Sequence, residues 1–356
     1  MSTPPTAEFQ LVFVQKVQRV LDEGQFVATY KFALLHALAD LAVVHGDDAG
    51  GELRLSTRAI AERFVELYWR QAIPYPSGES LAVLNQNTGR QAAIVKRIEQ
   101  SRLEHGDSLF GLKRDPREWR KLVGAVERTM KEQPLWRLQT VGRESLDFLY
   151  PDQGQGSEII LRSGISYCLR MFHGLVTSLC STAWIRHIRK CNESMLGDRA
   201  DLAEFMFGAE RNDLSRHRAI LLEVQHGGCF YCNGSIPDAG EVDHFIPWSM
   251  YPADLGHNFV LAHKTCNGHK SDHLAAYGHL EKWCERNESD GSTLAEMFDE
   301  HRVVHDVANS QRIACWAYAR LEAVEGQTWV KGRRALVPLD SRWRTLPGLR
   351  SMPGGC

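Results

Sequence analysis

Two short pairs of metal-ligand residues constrain this chain more than anything else in it. Cys229-Phe230-Tyr231-Cys232 is a C-x2-C pair, and His263-Lys264-Thr265-Cys266 is an H-x2-C pair. Two intervening residues let one tight turn present both donors to a single ion. Thiolate and imidazole are the donors that zinc prefers in closed tetrahedral sites. Four such donors on one ion tie the turn before the intervening segment to its end, which predicts a compact, zinc-stapled module. His269 stands three residues after Cys266 and is a second candidate for the fourth position. His263 is favoured because it opens the second pair.

The other cysteines fit this reading. The chain has nine, an odd number, and Met1 to Gln10 carries Pro4, Pro5 and Glu8 where an export signal would place positive charge before an apolar core. A cytoplasmic location is expected, and with it metal ligation or burial rather than a disulfide framework. Cys168, Cys180, Cys191, Cys284 and Cys315 read as buried thiols. Hydrophobic residues make up 43% and charged residues 24% of the 356, enough apolar surface for a folded protein. No apolar run approaches the ~18 residues of a membrane helix. Forty-two basic residues against 44 acidic give a net charge of -2. That excludes a protein that grips polyanions by bulk charge and leaves room for a local basic groove.

The organisation expected is α+β and mainly helical. A large helical region spans 1–201, a small module spans 202–290 with its core at 225–284, and a helix with a basic tail spans 291–356. Phe26 to Val44 is rich in Ala and Leu. Ser56 or Thr57 caps a second helix carrying Ile60, Phe64, Leu67 and Tyr68, which Pro74 and Pro76 stop. Further helices are expected at 90–103, 165–188 and 202–225. Trp136 to Leu138, Asp147 to Tyr150 and Glu158 to Leu161 read as short strands, the last two joined as a hairpin through 151–156. Thr293 and Glu296 match a capping box. Trp329 to Val337, with Lys331, Arg333 and Arg334, reads as a basic hairpin. Eight of the 15 histidines fall between His217 and His279, where glycine and cysteine also concentrate.

Between the two ligand pairs, Glu241-Val242-Asp243-His244-Phe245-Ile246-Pro247 alternates as a strand and ends at proline. Asn258-Phe259-Val260-Leu261-Ala262 reads as a second strand, and Asn267-Gly268-His269-Lys270-Ser271-Asp272 leads into helical spacing from Leu274 to Cys284. These residues resemble the HNH endonucleases of the ββα-metal type, over about 225–284. Asn267 occupies the position of the motif's third letter.

The resemblance implies a division of labour. His244 is the general base that takes a proton from the attacking water. Asp243 and Asn267 are oxygen donors to one Mg²⁺ or Mn²⁺, an ion that rarely receives a full protein cage. Asn258 braces the two strands. Lys264 and Lys270 neutralise substrate phosphates. Cys229, Cys232, His263 and Cys266 hold a structural zinc. The activity implied is metal-dependent hydrolysis of phosphodiester bonds in DNA, leaving a 5′-phosphate and a 3′-hydroxyl, with RNA as the other candidate substrate. Defence against phage or foreign DNA is the implied setting. Two other readings stand beside it: a nuclease subunit of a larger assembly, with a protein partner or a second copy, and a zinc-stapled nucleic-acid binder without catalysis. No membrane association is expected.

Overall fold

The computed structural model describes residues 4–24, 26–77, 80–89, 91–151, 156–196, 201–208, 215–237, 240–333 and 335–349. Arg90, Arg334, the 152–155 connection and the terminal run Ser351 to Cys356 lie outside the described residues. The fold is α+β and mainly helical, and every sheet among the described residues has two strands. The chain divides into two compact units, Met1–Gly208 and Ala209–Cys356.

The first unit is built around helix Tyr30–His45. Phe32, Leu34, Leu35, Leu38 and Leu41, with alanines between them, leave this helix no polar stripe, so it is stable only when surrounded. Helices Thr57–Trp69, Ile165–Met171 and His173–Cys191 pack around it. Each leucine buried there contributes ~1.5–3 kcal/mol of transfer free energy. Helix Ala7–Glu23 is amphipathic and turns Phe13, Val17, Val20 and Leu21 inward. Local chemistry sets the helix starts. The Ser56 hydroxyl accepts from the Ala59 N–H at 3.1 Å, as the sequence predicts, and Asp115 accepts from Arg117 and Glu118 ahead of Pro116. The Asp40 carboxylate is buried at the centre. Asp40 accepts from Arg63 at 2.7 Å and pairs with His173 at 2.8 Å and His36 at 3.0 Å. These partners hold its carboxyl well below the usual range although burial pushes the other way.

Several expectations for this unit are corrected. Glu158–Leu161 pairs antiparallel with Leu53–Ser56, not with Asp147 to Tyr150. The latter is not a strand, because the Gln139 side chain takes the place of a partner. Its Oε1 accepts from the Leu149 N–H at 2.6 Å and its Nε2 donates to the Tyr150 carbonyl at 2.7 Å. Trp136 lies in helix Pro134–Arg137, started by its proline. The apolar stretch from Ile165 is two helices, broken at Phe172. Helix Leu202–Phe207, assigned to the module by sequence, places Leu202 and Met206 in the core of the first unit. The helix expected across 202–225 resumes separately as Ser215–Val224.

In the second unit, strands Glu241–His244 and Phe259–Ala262 pair antiparallel, with Asp243 opposite Val260 and His244 opposite Phe259. Helix Lys264–Lys270 follows at once, so Asn267 lies within a helix rather than ahead of one. Helices Tyr277–Ser289, Gly291–Glu300 and Val307–Ala323 pack behind, and Gly291–Glu300 starts before the expected capping box. Strands Gln327–Lys331 and Ala335–Pro338 form the expected hairpin. Its Trp329 bridges to Ala275, with the Trp329 N–H on the Leu274 carbonyl at 2.8 Å and the Ala276 N–H on the Trp329 carbonyl at 2.7 Å. Cys168, Cys180 and Cys284 are buried free thiols and Cys191 is half-buried, whereas Cys315 is disulfide-bonded. No helix among the described residues is long and apolar enough to cross a membrane.

Candidate active site

The first ligand pair sits in a tight turn. The Cys229 N–H donates to the Gly234 carbonyl at 2.8 Å and the Asn233 N–H to the Cys229 carbonyl at 2.9 Å, with Asn233 left-handed at φ 59. Gly234 keeps the interior open, since a Cβ there would lie 3.3 Å from Cε1 of His263 and 3.5 Å from Sγ of Cys232. The donor atoms of Cys229, Cys232, His263 and Cys266 all lie within 4.8 Å of one another. Bonds of ~2.0–2.3 Å give a tetrahedral zinc edges of roughly 3.5–3.8 Å, so three thiols and one imidazole at this spacing fit the ion. Nε2 of His263 donates to the Ser235 carbonyl at 3.0 Å while Nδ1 lies 3.3 Å from Sγ of Cys232. The carbonyl fixes the proton on Nε2 and leaves the Nδ1 lone pair facing the thiols. His263, not His269, joins the cluster. Burial raises the Cys229 thiol, but the backbone N–H groups of His263, Cys232 and Tyr231 outweigh it and hold the thiol below its ordinary value. Burial, then the neighbouring thiols, push Cys266 up to about 12.

Beside this cluster lies a cleft of about 360 Å³ whose wall includes Glu241, Asp243, His244, Lys264, Asn267 and Asp272. Glu241 and Asp243 are two apart on one strand and share its face. The Asp243 carboxylate is held from behind. Tyr231 donates its hydroxyl to Oδ2 at 2.5 Å, and Nζ of Lys270 lies 3.0 Å from the same oxygen. A carboxylate has about four lone-pair sites, so these contacts leave room for a cation. Asn267 donates its amide to Oε2 of Glu241 at 2.9 Å, which leaves its carbonyl oxygen as a donor to a metal. Two carboxylates and an amide oxygen on one cleft are the set a hard divalent cation takes.

The His244 ring is fixed on three sides. Its Nε2 lies 2.8 Å from Oδ1 of Asp254, and the rings of Phe259 and Trp248 meet it at 4.7 and 5.3 Å. Asn258 is buried and turned from the cleft, closing the turn after the first strand: its Oδ1 accepts from the Ile246 N–H at 2.8 Å and its Nδ2 donates to the Ile246 carbonyl at 3.0 Å.

Lys270 is placed otherwise than expected. It is wholly buried and donates to the His244 carbonyl at 2.9 Å as well as to Asp243, so it meets no substrate phosphate in this arrangement. Six residues at ~100° each put it on a different side of the helix from the exposed Lys264. Burial lowers the Lys270 ammonium, with Asp243 opposing. His273 turns to the Lys270 carbonyl at 3.2 Å rather than to the cleft.

A family model described as a domain of unknown function (DUF8808) matches residues 12–206, more than half of the chain, and one described as HNH endonuclease matches residues 229–276. The chain belongs to the DUF8808 family and carries an HNH endonuclease module. No curated protein matches it. The DUF8808 match falls within the helical unit and the HNH match within the second.

Reading the HNH module from sequence missed Glu241, Tyr231 and Asp254 as parts of the site. Glu241 carried a signal, its two-residue spacing from Asp243. Tyr231 and Asp254 carried none, because each meets its partner through a loop whose path the spacing does not fix.

Proposed function

We propose that the chain is a metal-dependent HNH endonuclease that hydrolyses phosphodiester bonds in DNA, with zinc as a structural ion and Mg²⁺ or Mn²⁺ as the catalytic one. The single observation that carries this reading is the position of His244. Its ring lines the cleft beside Glu241, Asp243 and Asn267, with Nε2 engaged and Nδ1 without a hydrogen-bond partner among the described residues. Nδ1 is the base: it takes a proton from water as the water oxygen bonds to phosphorus, and the bond from phosphorus to the 3′ oxygen breaks with its electron pair leaving on that oxygen. Asp243 and Asn267 would hold the divalent cation, which when bound would stabilise the charge that builds on the transition state and the leaving oxygen. Lys264, exposed on the cleft wall, meets a flanking phosphate. The choice of DNA, and defence against phage or foreign DNA as its setting, rest on the resemblance over 225–284.

The test is cleavage of supercoiled plasmid, linear DNA and RNA with and without Mg²⁺. His244→Ala should lose ~10²–10⁴-fold in rate with zinc retained. Asn267→Ala should recover part of its activity at raised Mg²⁺. Parental cutting by His244→Ala, or RNA cut in preference to DNA, would overturn the reading.

A further inference from the structure

We infer that Asp254 is a positioning residue of the nuclease, one that sets both the orientation and the tautomer of the base His244. The inference rests on the reading of His244 as the base. Asp254 belongs to the long loop between the two paired strands, ten residues after His244, and its Oδ1 lies 2.8 Å from Nε2 of that ring. A carboxylate is an acceptor only, so it fixes the proton on Nε2 and leaves the lone pair on Nδ1, the nitrogen without a hydrogen-bond partner among the described residues. Without Asp254 the ring can carry its proton on either nitrogen, and the Nδ1–H form cannot take one from water.

The loop is built to hold this carboxylate still. On one side the Tyr251 N–H donates to the Pro247 carbonyl at 3.3 Å, and the Tyr251 ring packs edge-on against Trp316 at 6.0 Å. On the other side the Gly256 N–H donates to the Val304 carbonyl at 2.8 Å, and a Cβ on Gly256 would meet Phe298 at 2.7 Å. Asp254 thus hangs between two points pinned to the helices behind the module. It is partly exposed itself, with a side-chain accessibility of 27%, and fills no core position. Its one described partner is the base. Preorganisation of this kind holds a reacting group in place before substrate arrives.

The experiment is a double-variant cycle on the full chain, with plasmid cleavage under saturating substrate and Mg²⁺ as the rate and zinc content and melting temperature as controls. Asp254→Ala should lower the maximal rate ~10–100-fold, part of the ~10²–10⁴-fold that a general base supplies, with the substrate concentration at half rate changed less than about twofold. Asp254→Glu, which keeps an acceptor-only carboxylate, should recover part of that loss, whereas Asp254→Asn, whose amide can also donate to Nε2 and so admits the Nδ1–H form, should recover little. In a His244→Ala background, Asp254→Ala should cost nothing further, because the residue acts through the missing ring. The imidazole ¹⁵N spectrum gives a readout independent of cutting: His244 should be the Nε2–H tautomer in the parental protein and a mixture in Asp254→Ala. A parental rate for Asp254→Ala, losses that multiply in the double variant, or an unchanged tautomer would overturn the inference while leaving His244 as the base. Parental cutting by His244→Ala would remove both.

Discussion

The hydroxyl of Tyr231 donates to Oδ2 of Asp243 at 2.5 Å. Tyr231 lies between Cys229 and Cys232, so the turn that brings two thiols into the four-donor cluster also holds the aspartate of the cleft. Burial, then the carboxylate itself, push the Tyr231 hydroxyl well above its ordinary range, so it stays a donor at any working pH. Tyr231→Phe should keep the zinc and leave a buried carboxylate oxygen short of a donor, at a cost of ~1–3 kcal/mol. Urea melts alongside metal analysis check both halves. Loss of zinc in this variant would place Tyr231 in the framework of the four-ligand cluster instead.

Zinc removal should act differently. Binding free energy at a site like Cys229, Cys232, His263 and Cys266 is folding free energy, because the unfolded chain has no such site. Cys229→Ala should therefore purify without zinc and melt well below the parental protein. A strong chelator should do the same to the parental protein. Metal analysis and thermal melts decide it, and a zinc-free chain with the parental melting temperature would refute the structural role.

The two lysines of helix Lys264–Lys270 should separate cleanly. Lys270→Met leaves Asp243 buried beside Tyr231 without its counter-ion, a change that costs ~3–5 kcal/mol. Lys264→Ala touches an exposed side chain and should stay within ~0.5 kcal/mol. It should instead weaken nucleic-acid binding and reduce the salt dependence by about one counterion. Melts and binding titrations across salt measure these outcomes; a destabilised Lys264→Ala would reverse the assignment.

His257 gives the second unit an acid sensitivity. It is wholly buried against Phe298, and burial is the main cause that pushes it from 6.5 to about 4. The folded value lies below the unfolded one. The stability tied to the neutral ring is thus present above pH 6.5 and lost as pH falls towards about 4, by ~3 kcal/mol in all. Urea melts through this window should show the loss, and His257→Gln should flatten it. An equal slope in both proteins would count against His257 as its source.

The sequence made legible whatever depends on short spacing. The two ligand pairs, the alternation from Glu241 to His244 and the Ser56 cap each join residues a few positions apart, and local geometry decides where they point. What it hid depends on distant chain crossing. Gln139 clamps Leu149 and Tyr150 and so removes an expected strand. His173 is buried against Asp40 from another helix, a pairing that spacing along the chain does not show. Asp254 finds His244 only because Tyr251 and Gly256 anchor the loop. Lys270 was misplaced for a simpler reason: proximity to Asn267 in sequence says nothing of helix face until the helix start is known, and that start came earlier than Leu274.

The bridge between Ala275 and Trp329 bears on how much of the chain the HNH module needs. The stretch that matches the HNH endonucleases stops at residue 276. Trp329 covers its edge there, packing edge-on to Tyr231 at 5.1 Å and stacking on His279 at 5.5 Å. A graft cut at the limits of the motif would carry an open backbone edge at Leu274 and Ala276 and a bare face on the tyrosine of the zinc turn. The unit that can fold by itself is therefore longer than the matched stretch and reaches at least to the end of the hairpin at Pro338, so a fragment cut at residue 276 would expose an edge that sticks to its neighbours.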